Sequence, residues 1–201
     1  LLTKGNLATL LKDKGTPESL AQAEALYPEV VAGFTAHYGH SNVHTLVTKG
    51  NLATLLQDKG TPEAVAQAEA LYREVVAGYT AHYGQSHVET LLTKGNLGTL
   101  LVATGQLAEA LEMRREVAVG FERQLDPAHP WLAMAKRQLK EVERAVSWEQ
   151  SKAMVQAGAQ AQAKEVCAPS PCASKEARGD SHLPSSRWSL TGALPSSRVR
   201  R

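Results

Sequence analysis

The residues able to do chemistry are few and scattered. Seven histidines and two cysteines are spread over 201 residues. His37 and His82 stand at equivalent places in the string TAHYG, at the ends of helical stretches where positive charge suits the helix dipole. His40, His44, His87 and His129 fall in turns or at helix starts. No two histidines flank a glutamate at the spacing that places both imidazoles on one helix face, so nothing suggests a metal site. Cys167 and Cys172 can build neither a disulfide framework nor a four-thiolate site, and they read as free thiols in a reducing compartment. Glu24, Glu69 and Glu109 recur, but as solvated helix residues rather than as an isolated acid and base. There is no Gly-rich phosphate loop and no Ser or Cys nucleophile in a recognisable elbow. The side chains offer contact rather than turnover. The expectation is a non-enzyme with no cofactor and no metal.

The elements that must position these residues announce themselves by repetition. Residues 1–45 and 46–90 are identical at 36 of 45 positions. A third copy opens with LLTKGNLGTLL and closes at Leu132, three residues shorter, with the short turn GQLAEAL in the region where the second copy has the longer GTPEAVAQAEAL; the strings themselves differ by five residues. Within a copy the apolar residues recur at helical spacing: Leu7, Leu10 and Leu11, then Leu20, Ala23, Leu26, Tyr27, Val30, Val31 and Phe34. Two amphipathic helices per copy follow. Thr16-Pro17-Glu18 and Thr61-Pro62-Glu63 read as a cap, a proline in the first turn and an acid at the positive end of the dipole. Gly39 and Gly84 are expected to end the second helix in a left-handed cap, and Ser86 with Glu89 to form a capping box for the next. Pro28, where the second copy has Arg73, predicts a kink.

A lone hairpin cannot bury both its apolar stripes, so such units stack. The expected fold is all-α: an alpha-solenoid of three helical hairpins (units 1–45, 46–90 and 91–132), a capping helix over 130–155 and a disordered tail. In the capping helix Leu139 and Val142 repeat Leu7 and Leu10, Lys140 and Glu143 replace Ala8 and Leu11, and Trp131 and Trp148 are expected to cover the last hairpin. The repeat domain thus occupies residues 1–150, and 156–201 is a basic Ser/Pro/Arg-rich tail in which LPSSR occurs twice. Residues 1–150 carry 14 Lys/Arg against 17 Asp/Glu, residues 151–201 carry 8 against 3. No stretch has the length and apolarity of a membrane span, so the expected location is cytoplasmic. A start at Leu1, inside a repeat and without a cap, reads as a fragment or processed product.

The recurrent NLATLL, followed by KGT, AEALYREV and later DPAHPWLA, resembles the kinesin-light-chain type of tetratricopeptide repeat over residues 1 to about 145. The resemblance implies that the first helix of each unit lines a concave groove. Its floor would then be Leu2, Gly5, Thr9, Lys12 and Asp13, then Val47, Gly50, Thr54, Gln57 and Asp58, then Leu92, Gly95, Thr99, Val102 and Ala103, with Asn6, Asn51 and Asn96 beside the glycines. Those asparagines suit either a partner or, preferentially, the neighbouring hairpin. The repeated glycines reflect either close approach of a partner or recent duplication.

Chaperone-docking relatives grip a terminal carboxylate with lysine and asparagine at positions held here by Gly5 and Thr9, Gly50 and Thr54, and Gly95 and Thr99. Neither residue type is present. The string TKGN is out of register, sending Lys4 and Asn6 about 200° apart on a helix of 3.6 residues per turn. The asparagine that kinesin light chains direct at cargo is likewise replaced by glycine. The expected function is therefore a protein-interaction scaffold holding a peptide or helix at Gly5, Asn6, Thr9, Lys12, Asp13, Gly50, Asn51, Thr54, Gln57, Asp58, Gly95, Asn96 and Thr99. A self-assembling structural module, by end-to-end self-association, is the alternative. Neither a membrane nor nucleic acid is the expected partner.

Overall fold

The computed structural model describes residues 1–166, with side chains to residue 160. The remainder of the expected disordered tail, with both cysteines and the doubled LPSSR, lies outside the described residues. The described residues form seven α-helices and no strand: α1 (Leu2–Lys14), α2 (Pro17–Tyr38), α3 (Val43–Lys59), α4 (Pro62–Tyr83), α5 (Val88–Ala103), α6 (Leu107–Gln124) and α7 (Pro130–Val166). The chain divides into two units after Ala157, and the first carries the hairpins α1–α2, α3–α4 and α5–α6. α7 runs beyond residue 155, where the sequence reading ends it.

Local chemistry explains most helix ends. Thr16 Oγ1 accepts the Ser19 N–H at 3.2 Å and Thr61 Oγ1 accepts the Ala64 N–H at 3.3 Å, each ahead of a proline that has no N–H to satisfy. The left-handed caps, however, are Gly15 and Gly60, at φ 69° and 68°, which close α1 and α3. Gly39 and Gly84 are not left-handed caps. They sit at φ 87°, ψ 168° and φ 88°, ψ 165°, a region open almost only to glycine, and lead the chain straight into the next unit. Their carbonyls accept the hydroxyls of Thr45 and Thr90 at 2.9 and 3.0 Å, tying each turn to the following helix. The capping box at Ser86 does not form. His87 is the cap, and its Nδ1 accepts the Glu89 N–H at 3.3 Å, because the helix begins one residue later than the box requires. Asn42 does the same for α3. α2 continues through Pro28 without a break in its helical span.

Packing within the second and third hairpins depends on glycines of their second helices. A Cβ on Gly78 or Gly120 would come within 2.6 Å of the methyls of Leu46 or Leu91, so each glycine is the seat of a buried leucine from the first helix. Burial of one such side chain contributes about 1.5–3 kcal/mol. Buried lysines hold the same hairpins together. Lys49 donates to Glu74, and Lys94 to Glu116 at 2.6 Å, while the exposed Lys4 reaches Glu29 at 2.5 Å.

α7 closes the last hairpin with Leu132 and Ala135 against Leu91, Val117, Ala118 and Phe121, and with Val142 further along. Trp131 stacks obliquely against Phe121 at 6.2 Å. Trp148 does not cover the hairpin: it is 66% exposed.

Candidate functional site

The small residues predicted to floor a groove do line one row of hollows. A first hollow of about 100 Å³ lies between α1 and α3 and includes Leu2, Gly5, Asn6, Thr9, Val47 and Asn51. A second, of about 230 Å³, lies between α3 and α5 and includes Gly50, Asn51, Thr54, Leu92 and Asn96. A third, of about 70 Å³, lies between α5 and α7 and includes Gly95, Asn96, Thr99 and Arg114. Lys12, Asp13, Gln57 and Asp58 line none of the three, and Lys12 pairs with Asp13 at 3.9 Å. Gln57 accepts from Tyr72 Oη at 3.1 Å. Val102 joins a further hollow, of about 210 Å³, with Thr99, Arg114 and Glu141. Ala103 is exposed at the end of α5 and lines none of these hollows.

The threonines are held from below. Thr9, Thr54 and Thr99 each donate back to the carbonyl of the glycine one turn earlier, at 3.1, 3.1 and 3.2 Å. The second helix of each hairpin then bonds the same hydroxyl. Tyr27 reaches Thr9 at 3.3 Å, Tyr72 meets Thr54 at 3.0 Å, and Arg114 donates to Thr99 at 2.7 Å. The threonines are thus part of the hairpin as well as of the floor. Burial raises the hydroxyl pKa of Tyr27 and Tyr72 above the ordinary value, offset in part by their threonine bonds.

The asparagines behave otherwise. Among the described residues, the side-chain amides of Asn6, Asn51 and Asn96 make no hydrogen bond, and none is a buried unsatisfied group. The expected bond to the neighbouring hairpin does not form. Gly50 faces open space, with nothing within 4 Å of an added Cβ, so no packing demand of the protein itself explains that glycine. Lys49 and Lys94 point away from the hollows, toward their glutamates, consistent with the helical angle separating lysine from asparagine in TKGN.

The histidines cap and stack. His44 lies against Phe34 at 5.8 Å, His87 against Tyr83 at 4.4 Å, and His129 Nδ1 accepts the Trp131 N–H at 3.1 Å. Among the described residues no three metal-ligating side chains cluster.

Arg114 is the residue of this region that sequence reasoning missed. The repeated string AEAL suggests pairing Glu109 with Glu69, which hides the correspondence. Burial instead matches Ala110 with Ala68, Val117 with Val75 and Phe121 with Tyr79. Arg114 therefore takes the place of Tyr72, and Leu111 that of Glu69. Glu109 is bound by Arg73 at 2.8 Å. Burial lowers the pKa of the Arg114 guanidinium, opposed by the charge of Glu141.

A family model for the tetratricopeptide repeat matches residues 45–89 and 90–130, frames that agree with the second and third units to within a few residues. No curated protein matches the sequence. Among solved structures, a protein from Podosopora anserina described as a kinesin light chain with nearly identical TPR-like repeats is 23% identical, with a TM-score of 0.65 over 85% of this chain and 79% of that one. A singly substituted form of that protein gives the same identity and TM-score over 75% and 68%. BtubC (BKLC) from P. vanneervenii is 18% identical, with a TM-score of 0.57 over 81% and 65%. Residues 45–130 are therefore a pair of tetratricopeptide repeats, within a helical solenoid that shares its fold with kinesin-light-chain-like proteins.

Proposed function

We propose that the chain is a non-enzymatic protein-interaction scaffold of the cytoplasm, holding an extended peptide or a helix along the row of hollows on α1, α3 and α5. Tetratricopeptide folds serve generally as interaction scaffolds. The observation that carries the finer reading is the set of three asparagine amides, one per unit, that bond nothing among the described residues and open into adjoining hollows. Each amide offers both donors and an acceptor, which is the pattern a peptide backbone needs. Small residues beside them let a backbone come close.

A pull-down with Gly50→Arg plus Thr54→Arg tests this. Gly50 has room for a long side chain, and circular dichroism verifies that the double variant stays folded with two arginines in the central hollow, since Thr54→Arg also removes the hydroxyl that meets Tyr72. Captured partners should be lost. Retention of every partner by the folded double variant defeats the reading.

One observation favours self-association as a second reading. Leu1, just before α1, and Leu7 and Leu10 within it are exposed, whereas Leu46, Leu52 and Leu55 at the equivalent places of the second unit are buried. Light scattering should then give a size that grows with concentration, and a strictly monomeric chain sinks this second reading.

A further inference from the structure

The third unit differs from the other two beneath the groove, and the difference is a paired one. Tyr27 and Tyr72 become Arg114, and Ala8 and Ala53 become Gly98. A Cβ on Gly98 would stand 3.1 Å from Arg114 Nε and 3.5 Å from its Cδ, so the glycine makes the space that the guanidinium fills. A neutral phenol has been exchanged for a permanent cation in the same buried place.

That cation is left without a counter-charge. Arg114 is 4% exposed. Its Nη1 donates to Gln138 and its Nη2 to Thr99, both neutral acceptors, and Nε has no partner. Among the described residues no carboxylate lies within ion-pairing distance of it. Glu141 lines the adjoining hollow but pairs with Arg137, at 3.8 Å. The protein's other buried cations are treated differently, since Lys49 and Lys94 each have a glutamate. A buried charge with only neutral partners is unfavourable, and an anion that reaches it gains both charge and fork geometry. Access exists: Arg114 lines the hollows on both sides of Thr99, and Nη1 lies 3.9 Å from the Cβ position of the floor residue Gly95.

We propose that Arg114 is a carboxylate-binding site at the α5–α7 end of the groove, taking an acidic side chain or the C-terminal carboxylate of a bound peptide. The proposal rests on the groove being the binding surface. The N–H bonds left over on Nη1 and Nη2 hold the anion, while Nε stays against Gly98. Glu141, whose charge faces the same guanidinium, competes with the ligand.

The test uses the full chain and three short fluorescent peptides: a Glu-rich peptide capped at both ends, its Gln counterpart with a free C-terminus, and that counterpart fully capped. Binding of the first or the second, but not of the third, is expected, and which of the two binds tells side chain from chain terminus. Arg114→Tyr with Gly98→Ala restores the pair used by the other units and should weaken binding by about tenfold or more. Arg114→Lys, which keeps the charge but not the fork, guards against a folding defect and should also weaken it. Glu141→Gln should strengthen it. The proposal is overturned if no carboxylate probe binds at about 1 mM, the weak end of specific association, or if the Arg114 variants bind as the parent does. If those variants leave binding intact while Gly50→Arg plus Thr54→Arg abolishes it, the groove reading stands and this site alone falls.

Discussion

The first two hairpins are nearly the same sequence in two different surroundings. Leu10 and Leu55 occupy the same place in the same string, yet Leu10 is 67% exposed and Leu55 5%. Nothing in either helix accounts for this. α3 has a hairpin packed on each side and α1 has one. An apolar stripe states that a surface should be covered, and the neighbouring unit decides whether it is. In a stacked repeat, stability therefore belongs to interfaces as much as to units.

The comparison is broken most forcefully at those two leucines. Leu55→Ala should cost about 2–5 kcal/mol through lost burial and a cavity, whereas Leu10→Ala should stay within about 0.5 kcal/mol, both read by urea unfolding. Equal effects would mean that α1 is covered in solution.

Next in size is the proline. Pro28→Arg gives α2 the residue of α4 and restores a helix hydrogen bond, and it should stabilise the chain by about 3 kcal/mol, seen as a higher thermal midpoint. An unchanged midpoint would show that α2 has already absorbed the defect.

A third difference, Phe34 against Tyr79, has a pH signature. Burial, with the charges of Glu89 and Tyr83, pushes the Tyr79 hydroxyl up to about 12 from an ordinary value of 10.0. The unfolded chain therefore loses this proton first. The stabilisation is fully present below pH 10 and is lost as the pH rises to about 12, by as much as about 3 kcal/mol. Tyr79→Phe, which copies the first unit, should flatten that part of the stability profile; an unaltered slope would assign it to other groups.

Much of the fold was legible because helical signals are local. Thr16 and Thr61 cap as their sequence implies, and the apolar spacing locates the helices. What escaped were features set by side-chain contacts between helices. Gly78 reads as a helix weakener until Leu46 is seen seated on it, and Lys49 reads as a surface charge until α4 supplies Glu74. Asn51 could have served the fold or a partner equally well from sequence, since the choice depends on which neighbours reach it. Arg114 was visible as a residue but lost as an equivalent, because the AEAL string invites the wrong alignment across the three-residue deletion. The buried positions restore the register.

The placement of α7 bears on how large an assembly could become. It covers the α5–α6 hairpin with apolar residues and turns Lys140, Glu143, Arg144 and Trp148 outward. At the other end, Leu7 and Leu10 of α1 are exposed and offer an apolar face to a second copy. Two copies joined α1 to α1 would make an isologous contact, which closes as a symmetric pair rather than growing into a filament.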